Sequence, residues 1–371
     1  VGLLDGHAAM LAPFGYFCQF PMHLIQEIYM QRCLELALKG AGWVTPNPLV
    51  GAVLVYHNRI IGEGWHERYG QAHAEVNCIA SVKPEDQHLI GSSTLYVSLE
   101  PCAHFGKTPP CSRLIIDKKI PTVVIGCRDP FPAVDGKGIE QLEQAGITVV
   151  VGVLEEACRQ INRRFFTFHQ QQRPWVIIKW AQTANGILGL TNERLHITNA
   201  ITNRLVHRWR SEEAAILVGS GTVRTDNPQL TNRLWNGPSP VRMVIDRSLQ
   251  LPVSSTVFRE DARTIVFNAI KTGGENHLQY QQLQPGIPIF TQINTYCYAN
   301  GIQSILVEGG AQLLQHCLDA GWWDELRVIT NQSMIKELGV QAPELPSVLV
   351  LDNQQLETDH ILFGLNPKHE N

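Results

Sequence analysis

Residues 94–111 read TLYVSLEPCAHFGKTPPC, and residues 73–80, just upstream, read HAEVNCIA. Thr94–Leu99 is a short apolar run of strand type, and Ser112–Lys118 beyond Cys111 has helical spacing. Ala74–Val82 reads as a helix opened by His73. Working outward, Leu49–Tyr56 is a buried-strand run that pairs with Arg59–Trp65 across the turn His57-Asn58. Leu24–Lys39 repeats apolar residues at helical spacing and stops at Gly40. Downstream, Thr122–Cys127 and Ile147–Gly152 read as strands, and Gly138–Glu143 and Glu155–Phe168 as helices. Strands alternating with helices predict a layered α/β sheet.

The chain has 371 residues, which at roughly 150 per domain suggests two domains. The polar stretch Gln170-Gln171-Gln172-Arg173-Pro174 breaks the pattern, so the boundary is placed there, with domains at 22–169 and 174–371. Residues 1–21, without Lys or Arg, do not fit a secretory signal and read as a disordered N-terminal extension. The second half begins with a strand at Trp175–Trp180 and a helix near Ala200–Arg210. Strands follow at Ala214–Val218, Val241–Ile245, Thr264–Phe267, Ile305–Val307 and Leu326–Thr330, with a helix at Gln312–Leu318.

A hydrophobic share of 44% excludes disorder for most of the chain. The net charge of −4, without a long basic stretch, argues against nucleic acid as a partner. No apolar run reaches the ~18 residues of a membrane span. Nine scattered cysteines, an odd number in a long chain, argue for a reducing compartment, the cytoplasm, rather than a disulfide scaffold.

His73, Cys102 and Cys111 form a one-imidazole, two-thiolate set, which leaves a tetrahedral Zn²⁺ with an open position of catalytic type. Glu75, two residues from His73, is placed to move a proton without binding the metal. Alone, either cysteine would more often be a buried thiol. The combination of His-x-Glu, Pro-Cys and a second Cys is the zinc-deaminase order. The eight residues between the cysteines, against two in the general signature, are distinctive. Cys33, Cys78, Cys127 and Cys158 fall on apolar faces and are read as core.

Thr45-Pro46-Asn47-Pro48-x-Val50-Gly51, His73-Ala74-Glu75-Val76, Glu100-Pro101-Cys102 and Gly106-Lys107-Thr108-Pro109-Pro110-Cys111 resemble the RibD family of bifunctional riboflavin-biosynthesis deaminase/reductases. The resemblance implies a cytidine-deaminase-like α/β/α domain with one zinc ion. It also implies hydrolytic deamination of 2,5-diamino-6-ribosylamino-4(3H)-pyrimidinone 5′-phosphate. Asn47, His104 and Lys107 are then expected substrate contacts, Lys107 as a phosphate partner.

In the second half, Val218-Gly219-Ser220-Gly221-Thr222 and Val307-Glu308-Gly309-Gly310-Ala311 each run from a strand into helix-like sequence, a turn type that lets backbone N–H groups approach a phosphate. Neither is a dinucleotide GxGxxG fingerprint. The order Lys179-x-Ala181, Asn185-Gly186, Ile197-Thr198, Arg210, Thr222, Asp226-Asn227-Pro228, Leu230, Val244-Ile245-Asp246 and Glu308-Gly309-Gly310 resembles the family's reductase half. That implies a dihydrofolate-reductase-like α/β domain reducing the ribosyl group of 5-amino-6-(5-phosphoribosylamino)uracil with NADPH. On matching positions Ala181, Thr222, Asp226, Gly309 and Gly310 are expected along the cofactor, and Arg210, Leu230, Arg233 and Glu308 along the substrate. The half departs from the family pattern at Asn185, Arg194, His196 and Arg247, so Arg194 and His196 receive no role. The competing reading is a single-function zinc nucleoside or nucleobase deaminase with a non-catalytic C-terminal domain. A homo-oligomer is the expected assembly.

Overall fold

The structure, a computed structural model, describes residues 22–103, 109–191, 193–275 and 277–369, with the side chains of 22–26 excepted. The first half forms α1 (Met22–Leu38), β1 (Gly51–Tyr56), β2 (Arg59–Trp65), α2 (Ala74–Ala80), β3 (Thr94–Leu99), α3 (Cys111–Asp117), β4 (Thr122–Cys127), α4 (Lys137–Gln144), β5 (Thr148–Val151), α5 (Glu155–Ile161) and α6 (Arg163–Gln171). The sheet order is β2-β1-β3-β4-β5, antiparallel at β2-β1-β3 and parallel at β3-β4-β5.

Strand alternation sets the layers. In β1, Ala52 and Leu54 pack with Cys78 of α2, Ile115 of α3 and Leu142 of α4. Val53 and Val55 point the other way, towards Met30 and Cys33 of α1, Cys158 of α5 and Phe165 of α6. The four core-assigned cysteines are all buried.

One expectation fails: Glu155–Phe168 is not a single helix but breaks at Asn162. The Asn162 side chain clamps the backbone of Leu49, accepting from its N–H at 2.7 Å and donating to its C=O at 2.9 Å. This tertiary clamp overrides a helical pattern that looks continuous in sequence.

Gly64 of β2 sets how closely α2 approaches the sheet. A Cβ there would collide with Cys78 N and lie 2.6 Å from Ala74 O, both in α2. Only glycine lets α2 settle onto the strands. Gly64→Ala should therefore cost about 1–3 kcal/mol in denaturant unfolding and displace α2, which carries Glu75 and follows His73.

The second half contains β6 (Trp175–Thr183), β7 (Ile187–Gly189), α7 (Ala200–Glu212), β8 (Ala215–Gly219), α8 (Ser220–Asp226), β9 (Val241–Ile245), β10 (Thr264–Asn268), β11 (Gly273–Glu275), β12 (Leu278–Gln282), α9 (Ile289–Ala299), β13 (Ser304–Val307), α10 (Ala311–Asp319), β14 (Glu325–Asn331), β15 (Val340–Gln341), β16 (Leu349–Leu356) and β17 (Asp359–Leu365). Ten strands make one sheet in the order β11-β12-β10-β9-β8-β13-β6-β14-β17-β16, parallel from β12 to β14. Helices α9 and α10 pack on one face through Ile293 and Leu314. Helices α7 and α8 cover the other through Trp209 and Val223.

The two halves meet across buried ion pairs. Arg164 of α6 donates to Glu213 at 2.7 Å, Arg163 to Glu325 at 2.6 Å, and Arg173 forks onto Asp324 with two bonds of 2.7 Å. No helix among the described residues is long and apolar enough to cross a membrane.

Candidate functional site

His73 is the N-cap of α2, with extended backbone and a side chain that makes no capping bond, so its imidazole is available for other work. Cys102 follows β3, and Cys111 opens α3. The buried Glu100 carboxylate fixes the first of these loops by accepting from Gly136 N at 3.0 Å and Gly138 N at 2.9 Å. The Cys111 N–H points at Cys102 Sγ, 3.3 Å away, as a donor to a thiolate.

Among the described residues His73, Cys102 and Cys111 form the one three-residue cluster suited to a metal. His73 Nδ1 lies 3.5 Å from Cys102 Sγ and 3.4 Å from Cys111 Sγ. Tetrahedral zinc, with Zn–S near 2.3 Å and Zn–N near 2.0 Å, places such N and S ligands about 3.5 Å apart. The donor set and its spacing thus fit zinc. Hydrogen bonding from Cys111 pulls Cys102 below the ordinary thiol value, and Cys102 raises Cys111.

Glu75 lies buried in the first turn of α2, beside this cluster. Burial lifts its carboxyl to about 7, and the negative Cys102 adds to the rise. A cation held by the cluster acts in the opposite sense. A cavity of 510 Å³ opens in front of Glu75 and His73, with Asn47 in its wall. Expected contacts His104 and Lys107 lie outside the described residues. Asp129, which burial raises to about 7, and His66 also line the cavity. Neither belongs to a local motif; only the fold brings them here.

The second site lies at the carboxyl ends of adjacent parallel strands β8 and β13, where open α/β sheets bind ligands. The two glycine turns stand side by side, and Thr222 Oγ1 accepts from Gly310 N at 2.6 Å. A Cβ at Gly309 would sit 2.6 Å from Leu313 Cδ2, the movable tip of a side chain, and 3.3 Å from Gly219 N, so a larger residue would crowd the two turns. Thr222, Asp226 and Gly310 line a cavity of 610 Å³; Ala181, Arg210, Arg233, Glu308 and Gly309 line an adjoining one of 410 Å³, and Asp226 borders both. Two adjoining cavities against glycine-lined helix starts fit a dinucleotide such as NADPH.

Leu230 departs from expectation. Its side chain is buried among Ile216, Val218 and Val244, and its backbone is left-handed at φ 57°. A hydrophobic side chain beside that core packs inward, so only its backbone is left to meet a ligand. Arg194 and His196, given no role from sequence, do line the smaller cavity.

Arg210 forks onto Glu308 at 2.9 and 2.7 Å, with Lys179 3.9 Å from the same carboxylate. Burial alone would raise Glu308, but Arg210 and Lys179 outweigh it and bring it down to about 2. Burial, then Arg210 and Arg233, lower His207 to about 4, so its ring is neutral at pH 7. The Arg233 N–H donates to His207 Nδ1 at 2.9 Å, which puts the ring proton on Nε2.

A depressed carboxylate contributes stability that is complete above its unfolded value of ~4.3 and is lost as pH falls towards the folded one. The stability advantage of the wild type over Glu308→Gln should therefore be largest at pH 6–7 and shrink from about pH 4.5 down to 2, as read by denaturant unfolding at each pH.

Comparisons with known proteins agree with both halves. Residues 25–127 match the cytidine and deoxycytidylate deaminase zinc-binding region, and residues 174–335 match the RibD C-terminal domain. The chain is 38% identical to the riboflavin biosynthesis protein RibD of Aquifex aeolicus, over 86% of this chain and 93% of the relative. It is 38% identical to that of Bacillus amyloliquefaciens, over 87% and 88%. A Thermotoga maritima structure, described as a diaminohydroxyphosphoribosylaminopyrimidine deaminase/5-amino-6-(5-phosphoribosylamino)uracil reductase, superimposes with TM-score 0.83 at 37% identity, covering 92% of this chain and 99% of its own. Acinetobacter baumannii RibD gives TM-score 0.83 at 29% identity, covering 92% and 99%.

Fold and sites together define a two-domain enzyme, a deaminase of the zinc-binding class joined to a dihydrofolate-reductase-like reductase. The chain belongs to the RibD family of bifunctional riboflavin-biosynthesis enzymes.

Proposed function

We propose that residues 22–169 hydrolyse the amino group of 2,5-diamino-6-ribosylamino-4(3H)-pyrimidinone 5′-phosphate, and that residues 174–371 reduce the ribosyl group of the product to ribityl. The observation that carries this reading is the convergence of His73, Cys102 and Cys111 at zinc-ligand spacing beside a buried Glu75. A zinc ion held by these three residues would supply a water nucleophile at neutral pH. Glu75 accepts the proton of that water on its carboxylate and delivers it to the departing nitrogen, so ammonia leaves and a ring carbonyl remains. Asn47 orients the base, and His104 and Lys107 hold the rest of the substrate.

In the second domain NADPH, when bound, would supply the hydride that opens the sugar. Thr222, Gly309 and Gly310 cradle its phosphates, with Ala181 and Asp226 along its length. Glu308 positions Arg210 through the fork between them. Because that fork occupies Arg210, the substrate phosphate falls to Arg233, whose side chain, among the described residues, bonds to Thr231 of its own loop. Leu230 contributes through its backbone.

The net charge of −4 supports a small-molecule partner over nucleic acid, and the cysteines among the described residues, all unpaired, support a cytoplasmic location. The outer strand β16 leaves Val350 and Leu351 exposed at a sheet edge, which supports a homo-oligomer.

The test is incubation with the diaminopyrimidine phosphate, with and without NADPH, following products by chromatography. Ammonia and the ribosylaminouracil should form without NADPH, and the ribityl product only with it. Deaminated product that accumulates in the presence of NADPH, with none oxidised, would contradict the second half of the proposal.

A further inference from the structure

The cavity in front of Glu75 is not walled by the first domain alone. Gly301 and Gln303, from the turn between α9 and β13 of the second domain, complete it. Gln303 is buried, and its main chain is pinned where its C=O accepts from Trp175 N at 2.9 Å, at the start of β6. Its side-chain Nε2 donates to Pro46 O at 2.8 Å. The next residue, Asn47, brings Nδ2 to within 3.1 Å of His66 Nε2. His66 Nδ1 faces Ala72 O at 3.0 Å, so Nδ1 carries the proton and Nε2 is left to accept from Asn47. The His66 ring stands edge-on to His73, with centroids 5.4 Å apart. A second contact runs parallel to this one: Tyr298 of α9 packs on Phe168, 5.0 Å between centroids, and Phe168 lines the same cavity.

We infer that Gln303, a residue of the reductase domain, is a positioning residue of the deaminase site: it holds the Pro46-Asn47 loop in place, and through it the orientation of Asn47 and His66. The inference rests on the reading of this cavity as the deaminase site. It makes the presence of the second domain a requirement for full deaminase affinity. A hydrogen bond of this kind, once lost, leaves the half-buried Pro46 without its tie to the second domain. The loop then samples other positions, and the cost falls on substrate binding.

The experiment uses the full-length zinc-loaded protein and Gln303→Met, which keeps length and volume but cannot donate. Deaminase KM should rise roughly 3–10-fold, with kcat changed less, while reductase KM and kcat on the deaminated substrate stay within twofold. Gln303→Asn keeps the amide but withdraws it by one methylene, so it should show the same split; it also serves if the Met variant folds poorly. Unchanged deaminase KM in both variants, or parallel loss of both activities in both, overturns the inference. Glu75→Gln is run alongside: if it still releases ammonia at the full rate, the reading of the cavity fails, independently of Gln303.

Discussion

Glu75→Gln should lower ammonia release by roughly 10²–10⁴-fold, the usual contribution of a positioned acid–base group, while zinc content and reductase activity stay at wild-type levels. The metal-ligand atoms belong to His73, Cys102 and Cys111, and the substitution leaves all three in place. It also leaves the size of the side chain unchanged in a buried position. What disappears is the ability to accept and return a proton. Zinc measured by metal analysis, ammonia release and NADPH oxidation on the deaminated substrate, all on one preparation, separate loss of chemistry from loss of metal or fold.

Arg210→Met should strongly destabilise the second domain. Glu308 is buried, and Arg210 supplies both strong bonds to its carboxylate, with Lys179 more distant at 3.9 Å. Removing one member of a buried pair typically costs about 3–5 kcal/mol, because the other is left charged and poorly solvated. Denaturant unfolding at pH 7 should show this loss, and reductase activity should fall with it. Deaminase activity should persist below the unfolding midpoint, because Arg210 does not line the first cavity. A stability change under 1 kcal/mol would mean that the fork contributes little.

How much could be read from sequence depends on how local each interaction is. The zinc ligands were legible because His73-Ala74-Glu75 and Pro101-Cys102 are local patterns, and the strand–helix alternation around them was legible from apolar spacing. The split at Asn162 was not, because its cause is the backbone of Leu49, 113 residues earlier in the chain. Strand β16 escaped notice because it is an edge: residues such as Asp352, Asn353 and Gln354 face solvent, so no buried face imposes alternation. His66, Asp129 and Gln303 carry no motif, and they become visible only when the fold brings them to one cavity. In the second domain the glycine turns at Gly219 and Gly309 were visible as turns. Their adjacency depends on β8 pairing with β13 across some ninety residues. Leu230 shows the converse case, a position taken from a family pattern whose side chain proves to be core.

Two chemistries at two separate sites on one chain are tested most directly by chelation. Ammonia release and NADPH oxidation are followed separately on the zinc-loaded protein, before and after its zinc is removed. With the diaminopyrimidine phosphate as substrate, zinc removal should stop ammonia release and, with it, NADPH oxidation. With the deaminated ribosylaminouracil phosphate, NADPH oxidation should continue at its original rate. Ammonia release that persists in the zinc-free protein, or a reductase rate on deaminated substrate that falls in step with zinc, would contradict the assignment of the two sites.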